Sequence, residues 1–345
     1  MIAEFFFTQK HSWIAWSGLA TTIGHAFFRA WQKKRLNTWF GLFYDYASSA
    51  SESGSGPFDE QQAHIQRLLI DFVWLCVPSV LLHPLFILIR NGWLLKWRIA
   101  LVNSYLDRWH QHLEIENASQ RVHEDTQRFV KGLQSVIATL LDSAMTLAVF
   151  VPILVDLGST VNPLDLPQSW LALLCLAVAG AGATVSIGLG WSLVALEVQN
   201  QVVEADLRKK LVLVETDNMD IVSPLSSAFK SVIQRLKLNY TRLYVRFAAF
   251  SLWLNVFDQG VVVLPYMLVS PLLFAAGNQR VTLGSLTRTT DCFGNVFGAL
   301  NVVSENWLTL TEFLSVVRRL RQFERALSED REVSSSRELQ SLGLD

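Results

Sequence analysis

Cysteine is scarce in this 345-residue chain: Cys76, Cys175 and Cys292 each stand alone in or beside apolar sequence. With no CxxC spacing and no paired loop positions, a disulfide framework and a thiolate zinc site are both excluded. Charge is scarce too, at 17% Asp, Glu, Lys and Arg. The net charge of −1 says nothing about nucleic acid, which is not among the expected partners. No GxxxxGK[ST] string is present to cradle a nucleotide's phosphates, and only some 25 residues follow the last apolar segment, too few for a nucleotide-binding domain. No GxSxG or comparable nucleophile setting accompanies the serines and histidines, so no catalytic residue, metal or cofactor is expected. The N-terminus MIAEFFFTQK has no basic residue ahead of its apolar run and no small-residue cleavage site, unlike a removable signal peptide.

Apolar sequence is what the chain has in quantity. It is 51% hydrophobic, with a mean hydropathy of +0.29, and carries 12 Trp and 21 Phe of the kind that gather at membrane interfaces. These values imply an all-α, polytopic membrane protein. Because a bilayer core takes about 20 apolar helical residues, six spans are expected, at 13–31, 68–89, 136–155, 171–196, 247–274 and 293–317. The first carries Ser17, Thr21, Thr22 and His25 and the last carries Asn295, Asn301, Glu305 and Glu312. Both are therefore expected to face a polar interior.

Loop charge orients the spans. Seven Lys or Arg fall in 90–131 and eight in 208–246, whereas 45–65 and 156–170 contain none. The two long connections are accordingly placed in the cytoplasm, with both termini. The cluster Arg29, Lys33, Lys34 and Arg35 defies this rule at the outer end of the first span. Either it lines a water-filled cavity, or the first span is placed wrongly, or the helix continues beyond the membrane as a solvated extension. Residues 1–327 are expected to form one membrane domain, and 328–345 a polar tail.

Two charged helical stretches, 113–129 and 196–211, run straight into apolar segments. In the second, Glu197, Gln201, Glu204, Arg208 and Glu215 recur at offsets that place them on one stripe at 100° per residue. In the first, Glu116, Gln120, His123 and Gln127 share a stripe beside Arg121, Glu124 and Arg128. Such stripes suit a vestibule or gate wall; they equally suit a solvated face with pairs such as Glu204–Arg208. The glycines of GAGATVSIGLG (180–190) are read as helix-packing positions rather than a phosphate loop. His110, His112 and His123 make a poor metal site, because HxH on a helix aims its rings to different sides. His25 and His83 lie within spans.

IENASQRVHEDTQRF (115–129) and LEVQNQVVEADLRKKLV (196–212) resemble the hallmark cytoplasmic segments of the SbmA/BacA family of bacterial inner-membrane peptide transporters. NTWFGLFYDY (37–46), WRIALVNSYLDRW (97–109), NYTRLYVRF (239–247), TLGSLTRTTDCFGNVFGAL (282–300) and NWLTLTEFLSVVRRLRQFE (306–324) resemble it in the same order, and EADLR and FDQGVVVLPYMLVSPLLF (257–274) also resemble the membrane half of ABC transporters. The resemblance implies an ABC-exporter-like membrane domain that forms a homodimer in the bilayer and, without ATP, imports antimicrobial or modified peptides down a proton gradient. It implies proton-coupling roles for Glu197, Glu204, Glu116, Glu124 and Glu312, with Gln201, Arg208, Glu215, Gln120, Arg121 and Asp125 lining the cavity or gate. Lys210 stands where such sequences more often carry glutamate. The alternatives are the membrane subunit of an ABC transporter for peptides, cobalamin or another bulky solute, with a separately encoded ATPase, and a non-transporting scaffold or sensor.

Overall fold

A computed structural model describes residues 6, 12–53, 58–109, 118–162, 166–217, 223–275 and 280–341. All the elements among them are helical: α1 (Ser12–Ser53), α2 (Phe58–Trp109), α3 (Ala118–Thr160), α4 (Trp170–Asp217), α5 (Ser223–Val269, with a 3₁₀ turn Ser270–Phe274), α6 (Leu283–Glu305) and α7 (Trp307–Ser341). At 1.5 Å per residue the 52 residues of α2 reach about 78 Å, more than twice a hydrocarbon core of about 30 Å. The excess length carries the chain beyond the membrane as continuous helix, in accord with the charged extensions read from the sequence.

Four helical segments are long and apolar enough to cross a bilayer: Phe58–Arg108, Ala118–Thr160, Trp170–Val212 and Lys230–Phe274. Helix α1 and the α6–α7 pair, which cover the first and last expected spans, are not among them. The expected span 293–317 is interrupted at Asn306, between α6 and α7, where the Asn306 amide also donates from Nδ2 to the Val302 carbonyl at 2.8 Å. The apolar side chains of the spans point outward: Trp74 and Leu88 of α2 are each 70% exposed and Leu252 of α5 is 65% exposed in the single chain. Water would penalise that arrangement and lipid does not.

The chain divides into two compact units. The first comprises Met1–Ala172 and Leu272–Asp345, hence α1, α2, α3, α6 and α7. One end of it is a conventional apolar core, in which Trp93, Trp97, Leu101 and Tyr105 of α2 meet Val122, Phe129 and Val130 of α3 and Leu320, Phe323 and Leu327 of α7. These residues lie outside the apolar runs, so the hydrophobic effect acts on them in full, at about 1.5–3 kcal/mol for each large side chain. Tyr105 also donates to Glu324 Oε1 at 3.0 Å.

At the other end of this unit α1 clasps α6. Asn37 Nδ2 donates to the Arg288 carbonyl at 3.0 Å and to Asp291 Oδ2 at 2.7 Å, and Asp45 Oδ1 accepts from the Gly284 amide at 2.7 Å. The approach requires glycine at 284, since a Cβ there would collide with the Gly41 carbonyl and the Asp45 side chain. The hydroxyls of Ser17, Thr21 and Thr22 donate to carbonyls of their own helix at Ile14, Ser17 and Gly18, which satisfies them at any depth.

The second unit, Leu173–Pro271, is the α4–α5 hairpin. Trp253 Nε1 donates to Ser186 Oγ at 3.2 Å, and Gly182 leaves room for the Phe257 ring. Of the four glycines read as packing positions, Gly182 is the one pressed by a neighbour; Gly180, Gly188 and Gly190 face open space.

Candidate functional site

The first charged extension folds into a polar cluster at the α3 N-terminus. Residues Arg121–Asp125 form a π-helical turn between the α-helical stretches Ala118–Gln120 and Thr126–Thr160. Such turns displace the side-chain register and recur where function needs a special geometry. Here Asp125, 7% exposed at its side chain, is held by Arg319 of α7 through two hydrogen bonds, while Arg121 Nη1 reaches the Arg319 carbonyl at 2.8 Å. Arg98 Nη2 secures the turn by donating to the His123 carbonyl at 3.2 Å.

Gln120, Arg121, Glu124, Asp125, Arg128 and Arg319 together line a cavity of about 280 Å³. Glu124 accepts from Gln120 Nε2 at 3.1 Å and pairs with Arg128 at 2.6 Å. The Gln120 amide first, and the Arg128 guanidinium with it, holds the Glu124 carboxyl below the usual carboxylate range. Pairing with Asp125 likewise holds Arg319 above its ordinary value. Five residues named from the sequence, Gln120, Arg121, Glu124, Asp125 and Arg128, thus meet in one place. Glu116, with His110 and His112, lies outside the described residues.

A second cavity, of about 320 Å³, opens where α1, α3 and α6 pack together, lined by Arg29 and Lys33 of α1, Thr139, Asp142, Ser143 and Thr146 of α3, and Asn295 with the small residues Gly294, Gly298 and Ala299 of α6. Arg29 Nη1 pairs with Asp142 Oδ2 at 3.4 Å. Two of the four cations that defied the positive-inside rule therefore line a cavity. Helix α1 is 42 residues long rather than 19, so Arg29 and Lys33 fall along its middle and face the cavity. Lys34 and Arg35 are exposed, with Arg35 over the Trp31 ring at 5.5 Å. Asp142 escaped the sequence reading; a lone carboxylate inside the apolar run 136–155 was the available signal. On α1 the polar residues His25, Arg29, Lys33 and Asn37 recur every four residues, a second signal.

In the α4–α5 hairpin, Glu204 accepts from Tyr240 Oη at 3.0 Å. The ion pairs run through its neighbour Asp206, to Lys210 at 3.5 Å and to Arg235 at 3.3 Å. The Glu204–Arg208 pair suggested by spacing is not among those of the described residues. Glu197 and Arg208 are exposed in the single chain, and Glu312 of α7 is exposed as well. The side chains of Gln201 and Glu215 lie outside the described ones.

A family model for the SbmA/BacA-like family matches residues 10–328, nearly the whole chain. The chain belongs to the SbmA/BacA-like family. This SbmA/BacA-like chain is also 27% identical, over 249 residues, to an uncharacterised ABC transporter ATP-binding protein of Synechocystis, covering 67% of this chain and 36% of that protein. It is 25% identical over 238 residues to the chloroplastic ABC transporter D family member 2 of Arabidopsis thaliana, covering 67% of this chain and 33% of that one. It spans about a third of the length of both relatives. A multi-pass membrane protein of a transporter family is the identity these matches and the outward-facing apolar helices establish together.

Proposed function

We propose that the chain is a peptide importer of the bacterial inner membrane, driven by the proton gradient and acting as a homodimer with both termini in the cytoplasm. The observation that carries the reading is the family match across residues 10–328, in a chain that also places charged groups inside its helical bundle. Charge inside a bilayer is expensive and tends to mark the route of an ion or solute. In this reading α1 and the α6–α7 pair complete a six-span bundle around a polar interior, in the layout of an ABC exporter's membrane domain. The Arg29–Asp142 pair makes a polar span tolerable in α1, because their attraction offsets part of the desolvation of each.

Proton coupling needs carboxylates that alternate between water and a drier setting, since burial favours the neutral form and access to water restores the charge. Glu197 and Glu204 come first, with Glu116, Glu124 and Glu312 behind them. A membrane potential assists the inward step by about 2.3 kcal/mol per charge per 100 mV. Gln201, Arg208, Glu215, Gln120, Arg121 and Asp125 line the cavity or its gate.

A second reading is favoured by the two relatives, whose names place them among ABC transporters. In it, the chain is the membrane part of such a transporter and an ATPase on another polypeptide drives it. Uptake of a panel of antimicrobial peptides into proteoliposomes separates the readings. Import under a pH gradient alone, abolished by Glu197→Gln with Glu204→Gln, supports the first. Import that requires ATP and an added ATPase supports the second, and gradient-driven import indifferent to both substitutions removes these two glutamates from the coupling role.

A further inference from the structure

The cavity between α1, α3 and α6 presents more positive than negative charge. Two cations, Arg29 and Lys33, line it against one carboxylate, Asp142, and that carboxylate is paired with Arg29. Among the described residues, no acid lies within ion-pair distance of Lys33. Asp291, also on α6, is near enough to feel the Lys33 charge but does not line the cavity, and its oxygens accept from the Asn37 and Asn295 amides at 2.7 and 3.2 Å. His25, one turn before Arg29, stacks on the Phe86 ring at 3.7 Å and faces His83 of α2. A cation held in a setting of low dielectric constant calls for a counter-charge.

Part of the remaining lining suits an oxyanion: Thr139 and Thr146 bring hydroxyls, whereas the Ser143 hydroxyl donates to the Thr139 carbonyl at 3.0 Å and the Asn295 amide to Asp291. Gly294 and Gly298 keep the α6 wall open, with nothing within 4 Å of where a Cβ would stand on either. At about 320 Å³ the space matches the lower end of small-molecule pockets, about 300 Å³. It is far too large for a bare ion and too small for a whole peptide. It fits one acidic end of a longer molecule.

The geometry points to Lys33 and the Arg29–Asp142 pair as a subsite for a carboxylate on the transported solute, a peptide's C-terminal carboxylate above all. The inference rests on the transporter reading and names the group by which the cargo is held. Asp142 positions the Arg29 guanidinium, Lys33 supplies a cation that no acid of the described residues approaches within ion-pair distance, and the Thr139 and Thr146 hydroxyls donate to the oxyanion. A lipid phosphate is the less suitable occupant. Asp142 lies six residues inside the apolar run 136–155, about 9 Å along the helix, and a headgroup sits outside the hydrocarbon.

Cysteine chemistry tests this on the full chain in phosphatidylcholine nanodiscs. Cys76→Ser removes the half-exposed thiol, while Cys175 and Cys292 are buried. Gly298→Cys then places a thiol in the cavity, with Thr139→Cys as a second position should the first fail to fold. With each rate divided by that reagent's rate with a free thiol in solution, a sulfonate-bearing methanethiosulfonate is expected to react about tenfold faster than its trimethylammonium counterpart, and Lys33→Gln should bring the two normalised rates together. A mixture of short peptides with free C-termini should slow the labelling several-fold, and the same mixture with amidated C-termini should not. Equal normalised rates for the two reagents, a normalised rate that favours the cation, or equal protection by both peptide mixtures overturns the proposal. Protection that appears only with phosphatidylglycerol in the bilayer assigns the site to lipid and overturns it too. Because labelling needs no turnover, a chain that shows the charge and peptide selectivity yet imports nothing keeps the subsite and loses the importer reading.

Discussion

Arg319 grips Asp125 with two donors, Nε to Oδ2 at 3.1 Å and Nη2 to Oδ1 at 2.9 Å. The carboxylate is buried and the arginine is 41% exposed at its side chain, so the charge that suffers from a lost partner is the aspartate. The pair joins α7 to the π-helical turn at the head of α3. Arg319→Ala is expected to lower the apparent melting temperature in detergent, followed by tryptophan fluorescence, by on the order of 5 °C. Arg319→Lys keeps the charge without the two-pronged geometry and should recover only part of that loss.

Glu124 offers a pH signature. Its folded carboxyl is held low by Gln120 and then Arg128, so its contribution is complete above the unfolded carboxylate value, about 4.3, and fades as pH falls through the lower folded value. Between pH 6 and 8 the group stays ionised in this conformation. Melting scans from pH 3 to 7 should show a flatter acid limb for Glu124→Gln than for the parent, with little difference near pH 7. Identical acid limbs would mean that Gln120 and Arg128 do not hold this carboxylate in the folded chain.

Glycines on different helices should respond oppositely to a methyl group. Gly284→Ala drives a Cβ into the Gly41 carbonyl and the Asp45 side chain, and is expected to cost about 1–3 kcal/mol. Gly188→Ala adds a methyl where nothing lies within 4 Å. It should be neutral or stabilising by up to about 1 kcal/mol, through helix propensity alone. Side-by-side melting curves check the pair, and an intact Gly284→Ala chain would discount the α1–α6 clasp.

Arg29 and Asp142 should be coupled. Their side chains are 45% and 25% exposed in the single chain, so screening limits the pair to about 1 kcal/mol. Arg29→Gln and Asp142→Asn are each expected to lower stability, and the double variant should lose less than the sum of the two. Strict additivity would show that the two charges do not sense each other.

Much of the helical framework was legible in the residues. Of the six segments read as spans, four fall in helices long and apolar enough to cross a bilayer, and 13–31 and 293–317 do not. The polar serine and threonines of 13–31 were legible as residues but not as contacts: Ser17, Thr21 and Thr22 turn their hydroxyls back onto their own helix, a choice invisible to composition. The charged stripe around residue 120 was found by periodicity. The π-helical turn that brings Asp125 to Arg319 was not, because a one-residue change of helical register leaves no compositional trace.

The sequence by itself determined that this chain is helical, apolar and built to cross a membrane, and its motifs determined the family, because hydrophobic periodicity and residue order are local properties. Only the tertiary structure decided that Arg29 and Lys33 share a cavity with Asp142. Those residues are more than a hundred positions apart in the chain, and the length of α1 and its packing against α3 and α6 set which charges meet.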